Sequence, residues 1–136
     1  MDVAKKKIIK QISKILKKAG CSLAVLFGSF VENETFRDID IMIAMAGGRP
    51  PAPEETLYLS QLLEFETGYR FDIIGIDIPG VLIRSEIAQK GCPIILKQPE
   101  LWDEFCFLTW IDEKDFRPLI ERFYEERFGI KQGQDS

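Results

Sequence analysis

Apolar residues between Val3 and Lys18 recur at spacings of three and four (Ile8, Ile12, Ile15, Leu16), which predicts an amphipathic helix ended by Gly20. Lys5, Lys6, Lys7, Lys10, Lys14, Lys17 and Lys18 fill the remaining positions. They read as the wet face of that helix, with contact to nucleic acid or an acidic partner as the alternative. Two continuous apolar runs, Leu23–Phe27 and Ile39–Met45, predict buried strands on either side of a short polar connection. The segment Gly47-Gly48-Arg49-Pro50-Pro51-Ala52-Pro53 continues no regular element and reads as a loop, either beside a functional site or merely connecting.

A helix over Glu54–Thr67, with Leu59, Leu62 and Leu63 on neighbouring turns, is capped by Gly68. A third strand over Arg70–Ile76, a helix from Pro79 to Lys90 and a short strand over Ile94–Lys97 follow. The tail from about residue 99 is helical. Leu101, Phe105 and Leu108 give one stripe, and Phe116, Leu119, Ile120, Phe123 and Tyr124 give a second in a separate helix. With Trp102, Phe107 and Trp110, this apolar surface is either core or a partner surface. The pattern predicts one domain over residues 1–128 and a disordered tail over 129–136, GIKQGQDS.

Composition narrows the classes. A chain of 136 residues, 46% hydrophobic, fits one globular domain. No apolar run approaches a membrane span, and the start, MDVAKKKIIKQ, lacks the apolar centre of a secretory signal. Cys21, Cys92 and Cys106 are odd in number and widely spaced, so neither a disulfide framework nor a zinc site is expected; reduced, mostly buried thiols in a cytoplasmic protein are. The chain has no histidine, which excludes imidazole acid–base chemistry and leaves carboxylates and a hard cation. A net charge of −4 argues against a general nucleic-acid binder.

The chemistry concentrates at LAVLFGSFVENETFRDIDIMIAM. Alternation along a strand sends Asp38 and Asp40 to one face and Ile39, Ile41 and Ile43 to the other. Two carboxylates on one face repel unless a cation lies between them, and their oxygens suit Mg²⁺. Asp72 stands in an otherwise apolar strand, where an unpaired acid is costly to bury. It therefore sits at an exposed end, or faces a metal or polar partner. Gly28 permits a tight exit from the first strand. Ser29 is either a plain cap or an additional ligand for a phosphate at a helix start.

Gly28, Ser29, Asp38, Asp40 and Asp72 together resemble the nucleotidyltransferase superfamily that includes DNA polymerase beta. The branch most similar is that of the minimal nucleotidyltransferases, the MNT antitoxins paired with HEPN toxins. The likeness runs over about residues 5 to 100 and includes FDIIGIDIPGVLIRSEIAQKGCPIILK. It implies an α+β nucleotidyltransferase fold, a small mixed central sheet flanked by helices with a C-terminal helical tail. It implies Asp38, Asp40 and Asp72 as catalytic residues and ligands of one or two Mg²⁺ ions, with Gly28 and Ser29 on the phosphates of a nucleoside triphosphate. Phe30-Val31-Glu32-Asn33 follow Gly-Ser where many relatives have a basic residue and a glycine, and Arg37 precedes Asp-x-Asp where many have Ser. Arg37 is thus expected to supply nucleotide-binding charge. The implied reaction is transfer of AMP from ATP to a hydroxyl of a HEPN toxin. The alternatives are a binding module that masks the toxin by contact, and a small-molecule nucleotidyltransferase working as a homo-oligomer. Neither a membrane nor a nucleic acid is an expected partner.

Overall fold

The computed structural model describes residues 2–129, except the side chains of Phe116, Arg117 and Ile120. In chain order the elements are α1 (Val3–Lys18), β1 (Cys21–Phe27), α2 (Ser29–Glu32), β2 (Asp38–Met45), a 3-10 turn (Ala46–Gly48), α3 (Pro53–Thr67), β3 (Arg70–Gly75), α4 (Val81–Lys90), β4 (Cys92–Leu96) and α5 (Pro99–Phe128). The four strands form one mixed sheet in the order β3-β2-β1-β4. β1 is antiparallel to both β2 and β4, whereas β2 and β3 run parallel across the α3 crossover.

β1 is interior to the sheet and covered on both faces, so all seven of its residues are buried and it reads as an unbroken apolar run. One face, carrying Ala24, Leu26, Ile39, Ile41 and Phe71, packs against the stripes of α1 (Ile8, Ile12, Leu16) and α3 (Leu59, Leu63). The other, carrying Leu23, Val25, Met42 and Ala44, packs against Ile87 of α4 and Phe105 of α5. Burying these branched side chains is the main source of stability.

The polar tip of the Pro-rich loop is organised by Glu55. Its carboxylate accepts the Ala52 N–H at 2.9 Å and both terminal nitrogens of Arg49, at 2.7 and 3.0 Å. The Arg49 bonds, then that of Ala52, hold the Glu55 carboxyl down at about 2. A lowered acid contributes stability above its unfolded pKa, near 4.5, and loses it as pH falls toward 2. Arg49→Ala should move the Glu55 titration back toward 4.5 and shrink the acid-side change in stability between those limits; carboxyl NMR titration of both proteins checks it. The loop follows the C-terminal end of β2, a whole strand length, about 20 Å, from Asp38 at its start. It connects rather than flanking the acids.

Two expectations change. α5 is one helix of 30 residues with Pro118 inside it, not two. The polar run between the two stripes is a docking face: Asp112 accepts from Arg84 of α4 at 3.0 Å, and Glu113 accepts from Ser85 at 2.8 Å. Phe107, Trp110, Leu119, Phe123 and Phe128 stand exposed along it, so much of the apolar tail is surface. The side chains of Phe116 and Ile120 and all of residues 130–136 lie outside the described residues. Second, Lys5 leaves the wet face: only 7% of it is exposed. The three thiols are free, as expected, although Cys21 alone is fully buried. No helix among the described residues is long and apolar enough to cross a membrane.

Candidate active site

The acids meet because of sheet register. Asp40 pairs with Phe27 across the antiparallel ladder and with Asp72 across the parallel one, and Asp38 pairs with Arg70. Residues paired in register share a face. Asp38, Asp40 and Asp72 therefore continue the face that Met42 and Ile74 cover further along, at the sheet end where the α4 and α5 layer stops. Asp38 and Asp40 are half-buried, and Asp72 and Arg37 are exposed.

β1 leaves the sheet through Gly28, at φ 76° and ψ −154°, a backbone region open essentially to glycine alone. A side chain there would also collide with the Asp40 carboxylate. Gly28 thus gives Asp40 its room as well as its turn. Ser29 begins α2, whose Val31 and Glu32 N–H groups bond back to the Gly28 carbonyl at 3.0 and 3.1 Å. The chain returns through Thr35, Phe36 and Arg37 to Asp38. Ser29, Thr35, Phe36, Arg37, Asp38, Asp40 and Asp72 line a single cleft of about 500 Å³, a volume suited to a nucleotide-sized ligand.

Electrostatics mark the cleft. Burial first, then the charges of Asp72 and Asp38, a side-chain hydrogen bond shared with Asp72 and the more remote Glu86, push Asp40 up to about 6. A carboxyl raised by burial and by neighbouring carboxylates marks an anionic centre suited to a cation. Among the described residues, no group of three acids or cysteines is arranged to hold a metal ion as the side chains stand. The donor chemistry nevertheless fits a hard divalent cation: three carboxylates and no nitrogen or sulfur ligand.

Five of the six residues singled out from sequence line this cleft: Ser29, Arg37, Asp38, Asp40 and Asp72. Gly28 lies beneath it, against Asp40. Thr35 and Phe36 were missed, although their place between Gly-Ser and Asp-x-Asp was the available signal.

A mixed sheet bearing three acids beside a Gly-Ser turn is the frame of a nucleotidyltransferase. The chain matches the family model "Polymerase beta, Nucleotidyltransferase" over residues 10–100, more than half its length, and belongs to that family. No curated protein sequence matches it. Among solved structures it is similar to a toxin–antitoxin with AMP-PNP, at 18% identity and a TM-score of 0.73, covering 87% of this chain and 96% of that one. It is also similar to the toxin–antitoxin MntA-HepT, at 16% identity and a TM-score of 0.70 over 89% and 97% of the two chains. A third is a tri-AMPylated Shewanella oneidensis HEPN toxin in complex with MNT antitoxin, at 17% identity and a TM-score of 0.71 over 90% and 97%. At such identities the likeness is one of fold, and it bears out the α+β nucleotidyltransferase architecture.

Proposed function

We propose that the chain is an antitoxin of the minimal nucleotidyltransferase type, which moves AMP from ATP to a hydroxyl of a HEPN toxin in the cytoplasm. The observation that carries this reading is the convergence of Asp38, Asp40 and Asp72 with Ser29 and Arg37 on one cleft of nucleotide size. It is supported by family membership and by the fold likeness to complexes containing AMP-PNP or an AMPylated HEPN toxin.

In the proposed reaction the acceptor oxygen bonds to the α-phosphorus, the bond to the bridging oxygen of the β-phosphate breaks, and pyrophosphate leaves. Asp72, the most open of the three acids, takes the acceptor's proton. Asp38 and Asp40 would hold Mg²⁺, with Asp72 sharing a second ion, and the bound cation would neutralise charge on the attacking and leaving oxygens. The Ser29 hydroxyl and Gly28 backbone hold the phosphates, and Arg37 supplies the positive charge that the Phe30–Asn33 segment lacks. The exposed aromatic stripe of α5 gives the toxin a surface to bind.

Incubation with labelled ATP, Mg²⁺ and a HEPN-domain toxin should place label on that protein, and Asp38→Ala should abolish it. The same stripe favours a second reading, masking by contact without turnover. A tight complex that never becomes labelled, unchanged in Asp38→Ala, would establish that reading instead.

A further inference from the structure

The geometry points to Lys5 as the residue that fixes the nucleotide-facing segment from outside it. This inference rests on the nucleotidyltransferase reading of the cleft. Lys5 belongs to α1, on the opposite side of the sheet from the acids, and lines no part of the cleft. Its ammonium nonetheless reaches across 25 residues of sequence to donate to the Phe30 carbonyl at 2.7 Å, and to the Asn33 carbonyl. It also lies over the Phe30 ring, 5.3 Å from its centroid, and over the Phe36 ring at 5.5 Å. Among the described residues no carboxylate pairs with it.

A buried ammonium with no counter-ion is costly unless its protons are well placed. Here they are placed on the weakest part of the site's frame. α2 is a single turn, Ser29–Glu32, with no following turn to satisfy its last carbonyls. Lys5 satisfies two carbonyls at that end, and a cation there also complements the dipole of the turn. Its two aromatic contacts extend the hold. Phe36 packs edge-on against Phe30 at 4.7 Å and continues to Tyr69 at 5.3 Å. One side chain therefore grips the stretch between Gly28 and Asp38 near both ends, and that stretch supplies Ser29, Thr35, Phe36 and Arg37 to the cleft.

Lys5 is accordingly a positioning residue. Without it the segment samples arrangements in which Ser29 and Arg37 no longer face the cleft together. The apparent affinity for ATP then falls by the fraction of time the segment is competent, while the saturated rate, set by acids on β2 and β3, is kept. Loss of folded protein has the opposite signature: it lowers the saturated rate and leaves KM alone.

The test compares wild type, Lys5→Met and Lys5→Arg. Hydrogen exchange of Lys5→Met should accelerate over residues 28–38 and remain slow over β1 and β2. KM for ATP should rise about tenfold with kcat unchanged, and Lys5→Arg, which keeps N–H donors, should recover most of that rise. Unchanged exchange over 28–38 would overturn the inference, as would a lowered kcat at constant KM. Should Lys5→Met fail to fold, Lys5→Gln, which is shorter and uncharged yet polar, decides by the same two readouts: faster exchange over 28–38 with a raised KM supports the inference, and no change in either overturns it. If wild type transfers no AMP, the functional proposal fails by itself, and the exchange comparison still decides whether Lys5 holds the segment.

Discussion

Asp40→Asn is expected to lower nucleotidyl transfer by about 10²–10³-fold or more, the scale on which losing one preorganised electrostatic group acts. It is expected at the same time to make the metal-free protein more stable at neutral pH. Both effects have one source. Asp40 is pushed up to about 6 by burial and by its neighbours Asp72 and Asp38, against an ordinary value of 3.8. A raised acid gives its full contribution to stability below the unfolded pKa and loses it as pH climbs through the folded one. Wild type therefore weakens between about pH 4 and pH 6 as the charge appears in a cluster of like charges, and the asparagine variant does not. The gap between them should be absent below pH 4 and fully open above pH 6. Because the group is partly solvated, the gain is about 1 kcal/mol, well short of the full linkage value. Melting curves in EDTA at pH 4 and pH 7.5 check the sign. Adding Mg²⁺ at pH 7.5 should raise the melting temperature of wild type more than that of the variant. A variant less stable than wild type at pH 7.5, or equal magnesium stabilisation of both, would count against a cation site built from these acids.

How much of this site was legible depended on how local each cause is. Asp38 and Asp40 are read from alternation within one strand, and the buried Ile39, Ile41 and Ile43 fix which face they take. Asp72 is read from its incongruity in an apolar strand. Its placement beside Asp40 comes from parallel pairing across the α3 crossover, a register that no property of either strand alone announces. Lys5 was misread because a lysine on an amphipathic helix is ordinarily solvated. The clue was geometric, since residues 5, 8, 12 and 16 share one stripe and Lys5 extends it inward. The length of α5 was misread for a related reason. A polar run between two apolar stripes looks like a break, yet Glu113 and Lys114 are good helix formers, and Asp112 and Glu113 meet polar groups on α4. In each case a residue was judged by its usual surroundings, and packing supplied others.

Gly28→Ala is expected to destabilise the protein by about 2–4 kcal/mol and to eliminate transfer with it. Two costs add at this one position. The first is conformational, since an alanine at φ 76° and ψ −154° is strained wherever it stands. The second is particular to this site, since the new methyl group would overlap the Asp40 carboxylate. Gly68 separates the two: at φ 81° a side chain there meets nothing within 4 Å, so Gly68→Ala carries conformational strain only, about 1–2 kcal/mol. The collision is isolated by a cycle. With Asp40→Ala the carboxylate is gone and the nearest remaining atom, the residue-40 Cβ, lies at an ordinary 3.6 Å from the added methyl. Gly28→Ala should then cost less in the Asp40→Ala background than in wild type, by an interaction free energy of about 1 kcal/mol or more. Denaturant titration of the four proteins measures it. Strict additivity would mean that Gly28 serves the turn alone, and that the glycine at the end of β1 and the second acid of Asp-x-Asp are independent features. A positive coupling would make them one device, in which the absence of a side chain on one strand gives the carboxylate on the next its position over the cleft.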